Sequence, residues 1–191
     1  MNVPFELDLS NALQALHNGG VILYPTDTIW GLGCNATNEV AVQNVYAIKN
    51  RRETKSLIIL LADARDLLHY VAAPDPAVFE FIEQQDRPTT IVFENAIGLP
   101  QNMIAEDGTI AIRIVQDAFC RHLIKRLQKP VVATSANLSG HPTPQSFNAV
   151  SDSIKSSVDY VVQWRQEESA PAQPSRLIKW NRDASVTILR P

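Results

Sequence analysis

Apolar residues recur along the chain with the spacing of amphipathic helices in some segments and of strands in others. Leu9, Leu13 and Leu16 share one face of a helix predicted over residues 8–18. At positions 75–76 an aspartate precedes a proline, and this pair predicts an N-cap followed by the first helical position. Four more helices are predicted over residues 38–49, 63–70, 117–127 and 146–153.

Short apolar runs between these helices predict strands. Residues 56–61 carry a continuous apolar run, which is typical of a strand covered on both faces. The other predicted strands lie at 21–24, 89–93, 109–114, 131–134, 158–162, 176–180 and 186–189. Because helices and strands alternate without a linker or a repeat, the pattern predicts a single α/β domain over residues 1–191.

The composition is that of a globular domain, with 45% hydrophobic and 19% charged residues. No apolar run approaches the ~18 residues of a membrane span, and no basic segment precedes an apolar run at the N-terminus, so we expect neither a membrane segment nor a signal peptide. Two cysteines do not make a disulfide framework, which favours a cytoplasmic location. The net charge of -3 provides no general basic surface, so a role with RNA would need a local patch.

Three polar clusters interrupt this framework at the ends of predicted elements, where open α/β sheets place their ligands. The first is the run Tyr-Pro-Thr-Asp-Thr-Ile-Trp-Gly-Leu-Gly at 24–33, in which glycine permits a tight turn and a close approach to a ligand. A loop that caps its own backbone is the simpler alternative. The run at 31–36 also fits the dinucleotide pattern G-x-G-x-x-G/A, but six residues separate it from the strand end, so a nicotinamide or flavin site is the weakest interpretation.

The second cluster, at 49–56, has four cations among eight residues: Lys-Asn-Arg-Arg-Glu-Thr-Lys-Ser. Lys49 and Arg51 lie two positions apart in a segment that leaves a helix, where both could face one phosphate or carboxylate. Cations that complement the helix dipole, or that contact RNA phosphates, are the alternatives. The pattern is not a P-loop, because no G-x-x-x-x-G-K-[ST] run occurs in the sequence.

The third cluster follows the strand predicted at 131–134 and reads Ser-Ala-Asn-Leu-Ser-Gly-His-Pro-Thr at 135–143. Small side chains let a ligand approach the backbone, while hydroxyl and amide groups supply directed hydrogen bonds. A helix cap followed by a turn is the alternative. The four histidines lie far apart without metal-ligand spacing, so no metal-binding residue is predicted.

Six motifs in this order resemble those of the YrdC-like family of threonylcarbamoyl-adenylate synthases, from about Ala12 to the end of the sequence. They are Tyr24-Pro25-Thr26-Asp27-Thr28 with Gly31-Leu32-Gly33, Lys49-x-Arg51, Pro88-Thr89-Thr90, Ser135-Ala136-Asn137 with Ser139-Gly140, Pro174-Ser175 and Leu189-Arg190-Pro191. The resemblance implies a twisted mixed sheet flanked by helices around a positively charged concave cavity. It also implies a short form without the extra C-terminal domain of longer members.

The implied reaction joins L-threonine, bicarbonate and ATP into threonylcarbamoyl-adenylate and pyrophosphate, with Mg²⁺ on the phosphates. Partner proteins would then transfer the threonylcarbamoyl group to a tRNA adenosine, giving N6-threonylcarbamoyladenosine (t6A). Contact with tRNA or double-stranded RNA is a further expectation. The alternatives are a non-catalytic RNA-binding module of the same fold, a YciO-type paralogue and, last, a nucleotide-dependent oxidoreductase.

The resemblance also implies a role for individual residues. The catalytic pair would be Lys49 and Arg51, which would hold the carboxylate and the phosphates. Threonine would be bound by Thr28, Ala133, Ser175 and Arg113, and ATP by Arg51, Lys55, Thr90, Ser135, Asn137, Thr143 and Arg190. Because the carbamate attacks ATP directly, catalysis would consist of alignment and charge stabilisation, and we expect Arg51→Ala to lower the rate by ~10²–10³ with the fold intact.

Overall fold

One mixed sheet of nine strands organises the part of the chain that the computed structural model describes, which comprises residues 4–50, 57–168 and 173–191. The strands are β1 (Ile22–Tyr24), β2 (Gly31–Gly33), β3 (Ile58–Leu61), β4 (Thr89–Phe93), β5 (Ile110–Ile114), β6 (Val131–Ser135), β7 (Tyr160–Val161), β8 (Arg176–Trp180) and β9 (Val186–Arg190). Their order across the sheet is β7-β1-β2-β6-β3-β5-β4-β8-β9. The pairs β1–β7, β3–β5 and β4–β8 are parallel and the other neighbours are antiparallel, as a mixed sheet requires.

Helices cover both faces of this sheet. They are α1 (Phe5–His17), α2 (Glu39–Ile48), α3 (Ala77–Glu83), α4 (Ala118–Leu127) and α5 (Asp152–Lys155), with short 3₁₀ segments at Ala64–His69, Gln101–Met103 and Phe147–Ala149. On one face, α1 and α4 bury a core with the inward side chains of β1, β3 and β6. On the other face, α2, α3 and α5 pack on a larger core that includes Ile91, Ile112 and Ile178. The described chain is therefore a three-layer α/β fold.

Local signals fixed most of these helices as predicted. The side chain of Asn38 caps α2 by accepting a hydrogen bond from the backbone N–H of Ala41 at 3.1 Å. Asp117 caps α4 in the same way through the N–H of Cys120 at 2.9 Å. Side-chain oxygens at N-caps satisfy amides that have no partner within the helix, which is why both starts were readable from sequence.

Three expectations were wrong in detail. The first helix begins at Phe5 rather than at Asp8, and Asp8 is a fully buried residue inside α1. The helix predicted over 146–153 is divided into two short segments, because Val150 is extended with ψ 128°. Residues 31–33 form a buried strand instead of a glycine-rich turn.

The glycines of β2 allow close packing inside the sheet. A Cβ atom on Gly33 would lie 2.5 Å from the ring of Tyr24 and 2.6 Å from the carbonyl of Val132. The Tyr24 hydroxyl donates to that same carbonyl at 2.8 Å, so the ring must cross directly over the glycine. Glycine is required here by close approach of neighbours rather than by a turn. A strand also cannot form the strand-to-helix phosphate turn of a dinucleotide site, so the nicotinamide or flavin interpretation of 31–36 is wrong.

No helix among the described residues is both long and apolar enough to cross a membrane.

Candidate functional site

A concave cavity of about 460 Å³ opens over the sheet face that α1 and α4 leave uncovered. Its floor consists of alternating side chains of the central strands, including Ile58, Val92, Ala111 and Leu177. Because side chains alternate along a strand, the intervening residues of the same strands point into the opposite core. The cavity therefore lies over the middle of the sheet, not beyond the strand ends where the sequence pattern suggested it.

One wall of the cavity is the loop after β1. The hydroxyl of Thr26 donates to the carbonyl of Ile29 at 2.8 Å and accepts from the N–H of Thr28 at 3.1 Å, so it closes a turn in its own backbone. The hydroxyl oxygens of Thr26 and Thr28 are 2.9 Å apart. Both threonines line the cavity. The loop thus caps itself, as the simpler alternative predicted, while it also presents hydroxyls to the cavity.

A buried ion pair joins this loop to the sheet. The guanidinium of Arg113, the fourth of the five residues of β5, lies 3.1 Å from the carboxylate of Asp27, and both side chains are less than a tenth exposed. The other carboxylate oxygen accepts from the N–H of Gln116 at 3.3 Å. The Nε of Arg113 is buried without a hydrogen-bond partner among the described residues. A buried donor of this kind favours a ligand that offers an oxygen.

The opposite wall is built around Ser175. Arg190 donates from Nε and Nη2 to the Ser175 carbonyl at 3.1 and 2.9 Å, and the Ser175 hydroxyl lies 2.7 Å from that of Thr90. Arg190 reaches this side of the sheet because β9 contains a bulge: Arg190 pairs with Leu177 and Ile188 pairs with Ile178, so Leu189 has no opposite residue. A bulge redirects the side chains beyond it.

Two arginine side chains line the cavity, and Asp27 offsets the charge of one of them, Arg113. Arg113 and Arg190 are the charged residues among its described lining residues. Desolvation by burial, with a smaller contribution from Arg113, lowers the pKa of the Arg190 guanidinium below its ordinary value. Two like charges in a partly desolvated site destabilise each other, and an anionic ligand relieves that repulsion. The site is therefore suited to carboxylate or phosphate groups.

Lys49 stabilises the Ser-Ala-Asn turn from behind. This lysine is 2% exposed at the C-terminal end of α2, and its ammonium donates to the carbonyl of Ser135 and, at 2.7 Å, to that of Asn137. Its own carbonyl accepts from the N–H of Ser139 at 2.9 Å. The Asn137 amide nitrogen donates to the His141 carbonyl at 2.6 Å. The turn is consequently held in place by backbone contacts to a buried cation.

The predicted site residues fall into three groups. Those that line the cavity are Thr28, Arg113, Ala133, Ser135, Thr143, Ser175 and Arg190. Lys49, Thr90 and Asn137 are not among the lining residues: Lys49 and Thr90 contact the lining residues Ser135 and Ser175, and Asn137 contacts His141 within its own turn. Arg51 and Lys55 lie outside the described residues.

Neither cysteine is placed to act as a nucleophile. Cys34 and Cys120 are both buried, and burial raises the pKa of each thiol. The Cys120 thiol donates to the Pro25 carbonyl at 3.3 Å, so it supports the loop after β1. A thiol with a raised pKa stays protonated at neutral pH and is unreactive.

The described residues contain no group of three or more histidine, cysteine, aspartate or glutamate side chains arranged to hold a metal ion. The carboxylate of Asp27, on the loop after β1, is paired with Arg113. Mg²⁺ prefers carboxylate, phosphate and water oxygens, so the phosphates of a bound nucleotide would suit it as ligands.

Sequence reasoning missed two residues that hold the site together. Asp27 belongs to the first motif, but no role was assigned to it. Its buried ion pair with Arg113 becomes visible only in the fold. Arg165 contacts the carbonyl of Thr26 from 139 positions away, and no local pattern marked it.

Fold and site together define an α/β protein with a concave cavity over its sheet, lined by hydroxyl groups and two arginines. The chain belongs to the Sua5/YciO/YrdC family, whose model carries the description "telomere recombination" and matches residues 14–191. Two curated relatives are each named threonylcarbamoyl-AMP synthase. The protein of Xanthomonas euvesicatoria pv. vesicatoria is 35% identical over 189 residues, 96% of this chain and 97% of its own length. That of Idiomarina loihiensis is 31% identical over 176 residues, 89% of this chain and 94% of its own.

Solved structures share the fold. The Sua5 protein of P. abyssi in complex with L-threonine has a TM-score of 0.85 and 23% identity, and the match covers 100% of this chain but 55% of that one. The YciO protein of E. coli has a TM-score of 0.81 and 21% identity, with 99% of this chain and 90% of that chain covered. This chain therefore spans about half the length of the Sua5 protein and nearly all of YciO.

Proposed function

We propose that this chain is a threonylcarbamoyl-AMP synthase, a nucleotidyltransferase that condenses L-threonine, bicarbonate and ATP into threonylcarbamoyl-AMP and pyrophosphate. The relatives named for this activity match it over nearly their whole length. One observation carries the proposal. Thr28 and Ser175, the hydroxyls proposed for threonine, line the same cavity as Ser135 and Arg190, which are proposed for ATP.

The amino-acid half of the cavity is bounded by the loop after β1, by Arg113 and by Ser175. The Arg113 guanidinium, which has a free Nε among the described residues, attracts the threonine carboxylate. The hydroxyl groups of Thr28 and Ser175 are available to the threonine hydroxyl and amine. Ala133 provides a small side chain on β6 where the ligand can approach the backbone.

The nucleotide half is bounded by Ser135, Thr143 and Arg190, with Arg51 and Lys55 proposed to complete it. The threonine amine attacks bicarbonate, and water leaves as the carbamate forms. A carbamate oxygen then attacks the α-phosphorus of ATP, and the bond to the bridging oxygen breaks so that pyrophosphate leaves. The protein aligns the two reactants and offsets the charge that develops on the phosphates, and no covalent intermediate with a side chain is needed.

Lys49 acts as a positioning residue in this proposal. Its ammonium is committed to the carbonyls of Ser135 and Asn137, so it fixes the turn on which the nucleotide rests. Thr90 and Asn137 act in the same indirect way, through Ser175 and through the turn at 138–141. Mg²⁺ enters as the magnesium complex of ATP, coordinated by phosphate and water oxygens.

The product is a labile mixed anhydride, so a transfer protein must consume it promptly to form t6A in tRNA. ATP and tRNA meet in the cytoplasm, which is where we propose the protein works. A direct contact of this chain with tRNA or double-stranded RNA remains part of the proposal.

A three-substrate assay tests the proposed activity. Purified protein is incubated with ATP, L-threonine and bicarbonate, and pyrophosphate release and the adenylate mass are followed. We expect release that depends on all three substrates and falls in Ser175→Ala. The matched control Ser10→Ala removes an exposed hydroxyl bonded to Glu6 in α1 and should retain full activity. Absence of pyrophosphate with wild-type protein, together with RNA binding, would instead support the non-catalytic RNA-binding module. Absence of both would favour a YciO-type paralogue with another activity.

A further inference from the structure

Arg165 joins three parts of the protein outside the cavity. Its guanidinium lies 2.6 Å from the carboxylate of Asp117 and donates to the Thr26 carbonyl at 3.3 Å, while its Nε donates to Glu168 at 2.7 Å. The side chain is 27% exposed and does not belong to the described lining of the cavity. It therefore contacts the loop after β1 from the side that faces away from a ligand.

The backbone that leads to Arg165 is firmly anchored. The buried carboxylate of Asp8 accepts hydrogen bonds from the Tyr160 hydroxyl at 2.7 Å, from the Gln163 N–H at 3.0 Å and from the Trp164 N–H at 2.6 Å. Arg165 itself has φ 65°, a left-handed conformation that costs free energy in a residue other than glycine. The ionic contacts of its side chain offset that cost, so conformation and contacts support each other.

The position of the Thr26 carbonyl affects the cavity wall through Thr28. The Thr26 hydroxyl holds both the N–H and the hydroxyl of Thr28, and Thr28 lines the cavity. The preceding carbonyl, that of Pro25, is held by Cys120 on α4. Arg165 thus supplies the contact that fixes the next carbonyl along the loop.

We propose that Arg165 is a positioning residue for the amino-acid half of the cavity, where it fixes the loop that presents the Thr28 hydroxyl. It does so without touching either substrate. The inference takes threonine as the ligand from the proposed function. It predicts that loss of Arg165 weakens threonine binding selectively. The turn held by Lys49 meets the loop after β1 at Trp30, whose carbonyl accepts from the N–H of Ala136, and not at the Thr26 carbonyl that Arg165 holds, so nucleotide binding should change little.

Arg165→Ala is compared with wild type, with the conservative Arg165→Lys and with a matched control. Arg182→Ala serves as the control because Arg182 also forms a 2.6 Å ion pair, with Glu94, far from the loop after β1. Threonine and ATP affinities are measured separately by calorimetry, alongside KM values for each substrate. In Arg165→Ala we expect threonine affinity to fall about 10-fold or more, because small displacements of positioning groups are costly. We expect ATP affinity within about twofold of wild type, partial recovery in Arg165→Lys and no change in Arg182→Ala.

Amide hydrogen exchange provides a second measurement that needs no substrate. The Thr28 N–H, which donates to Thr26, should exchange faster in Arg165→Ala than in wild type. Unchanged exchange at Thr28 would overturn the inference, and so would equal losses of threonine and ATP affinity. Failure of the three-substrate assay with wild-type protein would instead refute the proposed function, and the exchange result would still decide whether Arg165 orders the loop.

Discussion

The hydroxyl oxygens of Thr90 and Ser175 lie 2.7 Å apart, and they join the interior of β4 to the wall of the cavity. Thr90 is fully buried, whereas Ser175 lines the cavity, so the pair transmits the position of the sheet to the ligand site. The Ser175 carbonyl is fixed in turn by Arg190. One serine therefore receives support from two strands that are not adjacent to each other.

Thr90→Val tests whether Thr90 contacts ATP or supports Ser175. The substitution keeps the shape and removes the hydroxyl, which leaves the Ser175 hydroxyl without this partner. We expect KM for threonine to rise roughly 5- to 10-fold, because a hydrogen bond is worth about 1 kcal/mol, with KM for ATP unchanged. Steady-state kinetics with each substrate varied in turn measures this. A rise confined to KM for ATP would show that Thr90 contacts the nucleotide directly.

Lys49→Met tests the role of the buried ammonium. The change preserves a long side chain but leaves the Ser135 and Asn137 carbonyls without this donor, so we expect the free energy of unfolding to fall by roughly 1–3 kcal/mol. Urea unfolding measures the loss. The control Lys125→Met replaces an exposed lysine on α4 and should change stability by less than about 0.5 kcal/mol. Full stability combined with lost ATP binding would assign Lys49 to the nucleotide instead.

Gly33→Ala and Gly31→Ala form a matched pair on β2. A Cβ on Gly33 meets Tyr24 and Val132 at 2.5 and 2.6 Å, whereas the nearest atom to a Cβ on Gly31 lies at 3.1 Å. We expect Gly33→Ala to destabilise the protein by about 1–3 kcal/mol through overpacking, and Gly31→Ala to cost less. Thermal unfolding ranks the two variants. The reverse order would mean that the Tyr24 ring moves aside more easily than the β6 carbonyl next to Gly31.

Alkaline pH should destabilise the protein through Tyr24. Burial, with a smaller contribution from Cys120, raises the pKa of Tyr24 well above its ordinary value. The folded state thus holds this proton more tightly than the unfolded state does, so the stabilisation is present below the unfolded pKa of about 10 and is lost as pH rises toward the folded value. Urea midpoints should fall between about pH 9 and about pH 11, and less steeply in Tyr24→Phe. Identical slopes would contradict this assignment.

Elements with local signals were predictable from sequence. The strand at 89–93 has the predicted bounds, and the helices predicted over 38–49 and 117–127 begin after N-caps at Asn38 and Asp117. These features depend on residues a few positions apart. The strand β2 was missed because glycine carries no strand preference, and its pairing is imposed by β1 and β6. Asp8 was misread because its partners lie some 155 positions away.

The candidate site, like the fold, could be predicted in part from the sequence. Seven predicted residues line the cavity, and four of them, Thr28, Ser135, Ser175 and Arg190, belong to the ordered motifs. Whether a polar residue faces the cavity or stands behind it depends on strand alternation and on distant contacts. Thr90 is on the same face of β4 as Val92 and is buried beside Ser175, Lys49 approaches the Ser-Ala-Asn turn from α2, and Arg165 has no signal within its own segment.

Because Leu189 is unpaired, the face to which Arg190 points does not depend on the presence of Leu189. In a regular ladder, each insertion or deletion after the hairpin turn reverses the face of every later side chain. Here the residue opposite Leu177 is already Arg190, so removal of Leu189 would restore regular pairing and leave the guanidinium on the same face. A variant without Leu189 should therefore keep the guanidinium of Arg190 on the face of the sheet that carries the cavity.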